Sequence, residues 1–170
     1  MILDQAFAIG LAVMIYVTVE RLLELVVARR NTRRLVSEGA YEVGASHYIL
    51  IIVLHAAWLV SLWLFAPGRP IVGVMLALFG VVQILRFWTL LSIGRRWTTR
   101  ILIVPGETPV AKGPYRFLSH PYYVVVICEI FLLPAAFGLW EMAILFSMIN
   151  AAVLMIRIPA ETSALRQGRG

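Results

Sequence analysis

The stretch ILIIVLHAAWLVSLWLFAPGRPIVGVMLALFGVVQILRFWTLLSI, residues 49–93, contains two long apolar runs. The runs cover residues 49–65 and 71–93, and a short Ala-Pro-Gly-Arg-Pro turn joins them. A helix needs about 20 apolar residues to cross the roughly 30 Å hydrocarbon core of a bilayer. The stretch therefore predicts two membrane-spanning helices that form a tight antiparallel pair.

Three further apolar runs lie outside this pair, at residues 6–27, 121–137 and 142–158. The whole chain is 61% hydrophobic and only 14% charged, whereas a soluble domain carries about 25% charged residues. Backbone polar groups in lipid need partners within their own segment, so the runs should be helices. The sequence predicts an all-α integral membrane bundle of five transmembrane helices, in one domain over residues 1–170.

The composition also argues against several other classes of protein. A soluble helical protein with a large core is disfavoured, because the apolar residues form continuous runs rather than stripes. The one cysteine, Cys128, has no disulfide partner, and no Cys/His spacing resembles a zinc site, so no metal is expected. The net charge is +6, but no nucleic-acid-binding module accompanies it, and no nucleic acid partner is predicted. Membrane topology accounts for the charge better.

The basic residues predict how the helices are oriented. Twelve of the fifteen Lys and Arg residues follow the first or third run, or end or follow the fifth. They are Arg29, Arg30, Arg33, Arg34, Arg95, Arg96, Arg100, Lys112, Arg116, Arg157, Arg166 and Arg169. The connections on the opposite side contain only Arg69. Because loops rich in Lys and Arg remain in the cytoplasm, the N-terminus is predicted outside and the C-terminus inside.

Polar side chains lie within the apolar runs, where lipid would be an unfavourable neighbour. Arg86 belongs to the third run, Glu129 to the fourth and Asn150 to the fifth. A charge at the centre of a spanning helix costs at least about 2.5 kcal/mol, so these side chains should face the bundle interior. Two interpretations remain open, namely an Arg86–Glu129 ion pair that orders the bundle and a polar substrate pocket that includes Asn150.

Other polar residues of the runs are interpreted as structural. Glu20 and Glu24 are one helical turn apart and share a face of the first run. Near the membrane boundary, they are expected to be interfacial charges that pair with Arg21 or a neighbour. His47 and His55 are both expected to be structural.

The connection 94–120 and the residues that follow it contain the densest polar and aromatic cluster of the chain. Its segment Thr-Thr-Arg-Ile-Leu-Ile-Val is rich in β-formers, and Pro-Gly follows, so a small hairpin within this connection is predicted. Pro121 suits the first turn of the fourth helix, which places His120 just before that helix and Tyr123 in its first turn. Free N–H groups at such an end favour an anion. The tyrosines alone could also belong to an interfacial aromatic belt.

The fifth run ends in Arg-Ile-Pro-Ala-Glu-Thr-Ser-Ala-Leu, residues 157–165. Arg157 and Glu161 are four residues apart, so one helical face would carry a cation and a carboxylate. An ordinary ion pair within the helix is the alternative. Pro159 lies between them and would kink a continuing helix.

These two segments resemble the isoprenylcysteine carboxyl methyltransferase family of integral membrane enzymes. The family pattern Gly-Pro-Tyr-Arg, three residues, His-Pro-x-Tyr is matched by residues 113–123. A second pattern, Arg-x-x-x-Glu-Glu-x-x-Leu, is matched by Arg157, Glu161 and Leu165, with Thr162 in place of the second Glu. The longer segment 95–121 is similar to a bacterial subgroup associated with type III polyketide synthases.

The resemblance implies S-adenosylmethionine as cofactor, bound on the cytoplasmic side by a segment at about residues 94–123. It implies cofactor-binding residues and catalytic residues at the matched positions. The cofactor-binding residues are Gly113, Tyr115, His120, Tyr123 and Glu161, and the catalytic residues are Arg157 and Glu161. A substrate pocket formed by Arg86, Glu129 and Asn150 is a further expectation.

The resemblance also implies the class of acceptor. The acceptor would be lipophilic, either an alkylpyrone or phenolic lipid or a prenylcysteine-like carboxylate, and would enter from the membrane lipids of a bacterial cytoplasmic membrane. A phospholipid N-methyltransferase remains an alternative, because that family has a similar pattern. A non-enzymatic membrane protein that binds a ligand or organises partners is the other alternative. The sequence does not determine the oligomeric state.

Overall fold

Five α-helices and two short strands are found among the residues that the structure describes. The computed structural model describes residues 2–106, 108 and 110–167, with the backbone alone for residues 2–4, 46, 47 and 167. The helices are α1 (Ile2–Ser37), α2 (Ala45–Phe65), α3 (Gly73–Ile93), α4 (Pro121–Ala136) and α5 (Trp140–Gln167). The strands are β1 (Tyr41–Val43) and β2 (Ile101–Ile103). The predicted all-α membrane bundle is confirmed.

Over the described ranges, four helices are long and apolar enough to cross a membrane, which is one fewer than predicted. These candidate spans are Gln5–Ser37, Tyr48–Phe65, Gly73–Arg96 and Trp140–Arg166. Helix α4 has 16 residues and is therefore about 24 Å long, shorter than the bilayer core. It packs between α3 and α5, and residues such as Val125 and Leu133 are fully buried. Protein, rather than lipid, surrounds much of α4.

Helices α1 and α5 continue well beyond the apolar runs that predicted them. Helix α1 runs ten residues past position 27, through the arginine-rich segment, to Ser37. No Gly or Pro interrupts that segment before Gly39, whose φ of 96° ends the helix. Helix α5 continues through Pro159 to Gln167. At 1.5 Å per residue these extensions project roughly 15 Å beyond the runs at the same end of the bundle.

The extended helices and the two long connections, 38–44 and 94–120, form what we call the basic end of the bundle. Here β1 pairs with β2 in antiparallel register, with Glu42 opposite Leu102. The hairpin predicted within the connection 94–120 is therefore wrong, because β2 takes its partner strand from the other connection. Ile101 and Ile103 of β2 are buried against α5. Because β2 is held against α5, which also contacts β1, the two strands lie side by side and pair.

The opposite end of the bundle consists of two short turns. The backbone N–H of Val72, after the Ala-Pro-Gly-Arg-Pro turn, donates to the carbonyl oxygen of Ala136 at 2.8 Å. This bond joins the α2–α3 turn to the α4–α5 turn. Beneath it lies the main apolar core, in which Trp58, Leu62 and Leu133 are almost completely buried. The predicted tight antiparallel pairs are found at this end.

Candidate functional site

The two sequence motifs meet at the basic end of the bundle. The hydroxyl of Tyr123, in the first turn of α4, donates a hydrogen bond to the carboxylate of Glu161 on α5. The Nε of Arg157 donates to the same hydroxyl oxygen at 2.9 Å. The His120 ring lies beside the ring of Tyr123, with 5.4 Å between the centroids. Residues almost forty positions apart in the chain thus form one polar group.

The start of α4 positions the first of these motifs. Pro121 occupies the first turn of the helix, where its fixed φ suits the helix and its missing N–H leaves no unpaired donor. His120 precedes it in a non-helical conformation, with φ −135° and ψ 63°. The Nε2 of His120 and the hydroxyl oxygen of Thr162 are 3.1 Å apart, which holds the imidazole against α5. Thr162 thus positions His120 where the family pattern has a second Glu.

Arg157 connects α5 to the connection 94–120. It is only 6% exposed, and its Nη2 donates to the backbone carbonyl of Thr99 at 2.6 Å. Among the described residues, its Nη1 has no hydrogen-bond partner. On the next turn, the Oε1 of Glu161 lies 3.9 Å from the Nδ1 of His120, beyond hydrogen-bond distance. The group therefore presents one free cationic donor and one free carboxylate oxygen.

Tyr115 lies close to this group, in the short 3-10 turn Gly113–Arg116. Burial raises the pKa of its phenol above the usual value, and the negative charge of Glu161 raises it further. Since the direction is upward, Tyr115 stays a neutral phenol at physiological pH. The structure thus places Tyr115 near the same carboxylate as His120 and Tyr123.

Gly113 is required where the 3-10 turn crosses the end of α3. Its φ is +54°, and a Cβ added there would lie 2.0 Å from the Oγ of Ser92 and 2.9 Å from its Cβ. No side chain fits at that distance, and the neighbouring atoms include a Cβ that cannot rotate away. Gly113 thus allows the loop to approach α3.

We expect Gly113→Ala to destabilise the protein by about 2–4 kcal/mol, from backbone strain together with overpacking. Thermal unfolding in detergent would measure this loss. Gly106→Ala is a matched control in the same connection, because Gly106 has a φ of +74° but open space around its missing Cβ. If both variants lose the same stability, the contact with Ser92 is unimportant.

A second polar group lies inside the bundle, and we call it the charged cluster. It comprises Glu20, Arg21, Glu24, Arg86 and Glu129. Arg86 is fully buried and pairs with all three carboxylates, its Nε donating to Glu24 at 2.6 Å.

Hydrogen bonds extend the charged cluster to uncharged neighbours. Glu129 accepts hydrogen bonds from Arg21 at 2.6 Å and from Gln83 at 2.7 Å. Arg86 also donates to the hydroxyl oxygen of Tyr122 at 3.0 Å. The predicted Arg86–Glu129 ion pair is found as one part of this larger network.

The charged cluster corrects the interfacial interpretation of the acidic residues on α1. The pair expected between Glu24 and Arg21 is present, with a separation of 3.3 Å. Both Glu20 and Glu24, however, also turn inward to Arg86 on α3. The physical reason is that Arg86, buried in the bundle, needs counter-charges close by.

Hydrogen bonds within the described part of the chain join only two of the three residues predicted to form a substrate pocket. Arg86 and Glu129 are in direct contact, and each already has several partners. Asn150 is buried on α5, at 2% exposure. Within the described part of the chain, no hydrogen bond joins Asn150 to the charged cluster. A substrate role for these residues stays a prediction.

Sequence reasoning missed several residues that hold the site together. Asn31 of α1 is buried and donates to the backbone carbonyl of Trp97 at 2.8 Å. Trp97 packs edge-on against Tyr122, with ring centroids 5.8 Å apart. An asparagine among arginines carries no sequence signal for such a contact. His47, expected to be structural, lies among the residues whose side chains are not described.

His55, which was also expected to be structural, is partly buried on α2, and its Nδ1 lies 2.9 Å from the backbone carbonyl oxygen of Ile51, one turn earlier. Its structural role stays a prediction. Over the described residues, no group of three or more His, Cys, Asp or Glu could hold a metal ion.

Comparison with known proteins places this site in a family. The model of the "Isoprenylcysteine carboxyl methyltransferase (ICMT) family" matches residues 74–167, which cover α3 from its second residue and the whole of α4 and α5. A Bacillus subtilis protein named "Uncharacterized protein YpbQ" is 41% identical over 155 residues, covering 88% of this chain and 92% of that protein. A Haemophilus influenzae protein is 22% identical over 153 residues, covering 85% and 88%. No solved structure matches the chain significantly.

Proposed function

The chain belongs to the isoprenylcysteine carboxyl methyltransferase family, and from this membership we propose a specific reaction. The protein is a membrane methyltransferase. We propose that it transfers a methyl group from S-adenosylmethionine to an oxygen or carboxyl group of a lipophilic acceptor. The basic end would face the cytoplasm, where the water-soluble cofactor is found, in agreement with the distribution of Lys and Arg.

One observation supports this proposal above the others. The side chains of Tyr123, Arg157 and Glu161 are joined by hydrogen bonds although they belong to two different motifs. A protein that only organised partners in the membrane would not need a free guanidinium donor beside a free carboxylate oxygen. Such a pair suits a ligand that carries opposite charges close together.

The cofactor fits this arrangement by its chemistry. The methionine part of S-adenosylmethionine has a carboxylate, which Arg157 would bind through its free Nη1. It also has an ammonium group, which the free oxygen of Glu161 would accept. Aromatic faces favour a sulfonium cation, and His120 and Tyr123 present two neighbouring rings. The cofactor, when bound, supplies an electrophilic methyl group.

The role of the protein in this reaction is positioning. Transfer from a sulfonium is an in-line displacement that needs no covalent help, and alignment of the reactants can supply about 7–11 kcal/mol. Tyr123 holds Arg157 and Glu161 in place, and Thr99 fixes the second nitrogen of Arg157. Gly113 lets the loop close over the end of α3, which would exclude water.

We propose a phenolic or enolic lipid as acceptor ahead of a prenylcysteine-like carboxylate. Either acceptor would approach through the bilayer, because the helices that carry the site are embedded there. A carboxylate needs no base, whereas a hydroxyl acceptor must lose a proton. Incubation of membranes with labelled S-adenosylmethionine and each acceptor in turn separates these classes. A phospholipid amine belongs in the same panel, since methylation of it would contradict oxygen transfer.

Cofactor binding is the direct test of the proposed function. Calorimetric titration of the purified protein with S-adenosylmethionine should give saturable binding, and so should titration with its demethylated product. Tyr123→Phe should weaken this binding about tenfold, because it removes the hydroxyl that is hydrogen-bonded to both Arg157 and Glu161. Tyr41→Phe is the matched control, since Tyr41 is 48% exposed on β1 and should bind as the wild type does. Absence of binding to the wild type would contradict the proposal.

A further inference from the structure

Two adjoining cavities lie at the basic end of the bundle, and together we call them the arginine cleft. The first has a volume of about 480 Å³ and is lined by Arg30, Asn31, Arg34 and Arg95. The second has a volume of about 560 Å³, shares Arg34 and Arg95 with the first, and extends to Lys112. Of the described residues that line the arginine cleft, none is acidic.

Hydrogen bonds between different elements hold the walls of the arginine cleft in place. Asn31 of α1, next to Arg30, donates to the backbone carbonyl oxygen of Trp97 at 2.8 Å. This bond fixes the end of α1 against the 3-10 turn Gly94–Arg96, which carries Arg95. From the same turn, the Nη1 of Arg96 donates to the carbonyl oxygen of Thr108 at 2.6 Å, so the connection 94–120 is also attached. The arginine cleft is therefore a built feature of the fold.

Most of the cations in the arginine cleft lack a partner on the protein. Arg34 has one acidic neighbour, Glu38, at 3.0 Å. Across the residues that the structure describes, Arg30, Arg95 and Lys112 have neither a hydrogen-bond nor an ion-pair partner. Like charges held close together create a positive potential that attracts an anion. The arginine cleft thus offers several planar guanidinium donors to one ligand.

The depth of the arginine cleft relative to the membrane indicates where that ligand comes from. Arg30 lies three residues beyond the apolar run that ends at position 27, and Arg95 lies two residues beyond the run that ends at position 93. At 1.5 Å per residue, both are within about 5 Å of the hydrocarbon boundary. The headgroup layer of a bilayer is about 5–8 Å thick on each side. The two arginines therefore lie at the level of the lipid phosphates.

The surfaces on the membrane side of these arginines are apolar and uncovered. Leu23 and Val27 precede Arg30 on the same face of α1, at spacings of four and three residues. Both side chains are exposed. On α3, Leu91 is exposed four residues before Arg95. Each wall of the arginine cleft is thus cationic at the membrane surface and apolar below it, which suits an amphiphile with an anionic head.

We propose that the arginine cleft binds one anionic phospholipid, whose phosphate lies among the guanidinium groups of Arg30, Arg34 and Arg95. The acyl chains of this lipid lie on the exposed apolar surfaces of α1 and α3. Guanidinium groups bind phosphate through paired donors, and basic pockets between membrane helices bind phospholipid headgroups. The inference does not depend on the methyl donor, because none of the proposed cofactor or catalytic residues lines the arginine cleft.

Lipid titration of the purified protein in a neutral detergent tests the proposal. Physiological ionic strength screens charges that lie more than about 8 Å from the lipid. We expect the wild type to bind dioleoyl phosphatidylglycerol at least about tenfold more tightly than dioleoyl phosphatidylcholine. The double variant Arg30→Gln/Arg95→Gln should bind phosphatidylglycerol about 30-fold more weakly, since each basic residue contributes roughly a factor of five. Its affinity for phosphatidylcholine should equal that of the wild type.

The matched control is the double variant Arg29→Gln/Arg33→Gln, which removes the same charge from the same end of the bundle. Arg29 and Arg33 are exposed on α1 and line neither cavity. Their replacement should change the affinity for phosphatidylglycerol less than about threefold, because screening weakens distant charges. Thermal unfolding without added lipid should give both double variants the wild-type midpoint, which shows that they are folded.

A soluble phosphate separates a lipid site from a site for a free anion. Glycerol 1-phosphate has the phosphate of phosphatidylglycerol without the chains, and it should not bind at lipid concentrations that saturate the wild type. Native mass spectrometry should show one retained phosphatidylglycerol in the wild type and in Arg29→Gln/Arg33→Gln, and none in Arg30→Gln/Arg95→Gln.

The outcomes separate this inference from the proposed function. Equal affinity for the two phospholipids, equal losses in the two double variants, or binding of glycerol 1-phosphate as tight as that of the lipid would each overturn the phospholipid site. Weaker binding of S-adenosylmethionine in Arg30→Gln/Arg95→Gln would also overturn it, by assigning the arginine cleft to the cofactor. Failure of the wild type to bind S-adenosylmethionine would contradict the proposed function and leave the lipid result standing.

Discussion

Replacing Arg86 with alanine is expected to destabilise the protein by about 3–5 kcal/mol, because it leaves buried carboxylates without their counter-charge. The Arg86 side chain is 0% exposed and pairs with Glu20, Glu24 and Glu129. Only Arg21 would then remain to balance three acidic groups inside the bundle. A folded protein has about 5–15 kcal/mol of stability in total. The loss should therefore be visible as a large fall in the unfolding midpoint in detergent.

The matched control is Arg34→Ala, which removes a half-exposed arginine that pairs with Glu38. Arg34 and Glu38 have exposed fractions of 37% and 51%, and such surface pairs contribute about 0–1 kcal/mol. Adding Glu24→Gln to Arg86→Ala should restore part of the stability, because it removes one of the unbalanced charges. Equal losses from Arg86→Ala and Arg34→Ala would show that the charged cluster does not order the bundle.

Replacing Arg157 with alanine is expected to lower kcat/KM roughly 10³-fold, since removal of a buried hydrogen-bonded charge costs about 2–5 kcal/mol. Arg157 donates to the hydroxyl oxygen of Tyr123 and to the carbonyl oxygen of Thr99. Its loss removes one of the contacts between α5 and the start of α4, and it removes the hydrogen bond that joins α5 to Thr99 of the connection 94–120. Arg157→Lys should recover only part of the activity, because an ammonium group cannot reproduce two fixed planar donors.

Activity with labelled S-adenosylmethionine and affinity for it by calorimetry measure this effect. Arg166→Ala is the control, because Arg166 is an exposed arginine farther along the same helix, and its activity should equal that of the wild type. Wild-type affinity and activity in Arg157→Ala would mean that the cofactor site lies elsewhere. Thermal unfolding of each variant separates a local effect from a loss of folding.

The helices were predictable because apolar runs are local properties of a sequence. Residues 49–65 and 71–93 predicted α2 and α3 within a few positions. The run 121–137 predicted the bounds of α4 equally well, although this helix is shorter than a typical span and α3 and α5 pack against it. The prediction failed at the ends of α1 and α5, which continue beyond their apolar runs. Helix α1 continues into the arginine-rich segment after position 27, because arginine has a high helix propensity and a helix outside the lipid does not require apolar residues.

The candidate site was predictable in part, through motifs whose residue types suit an anion and a cation. Position along the chain could not reveal that Tyr123 lies between Arg157 and Glu161, or that Thr162 contacts His120. These contacts join residues of different elements, which only the packing of those elements brings together.

By itself, the sequence determined that the chain is a helical membrane protein with charges that must face inward. Hydrophobic burial and the need to pair backbone groups in lipid act on each run separately, and they leave a pattern within about twenty residues. Only the tertiary structure decided which groups meet. It paired β2 with β1 instead of with its neighbour in the chain, and it brought Glu24 to Arg86 across 62 positions. Such contacts depend on how whole helices pack, and no local pattern encodes them.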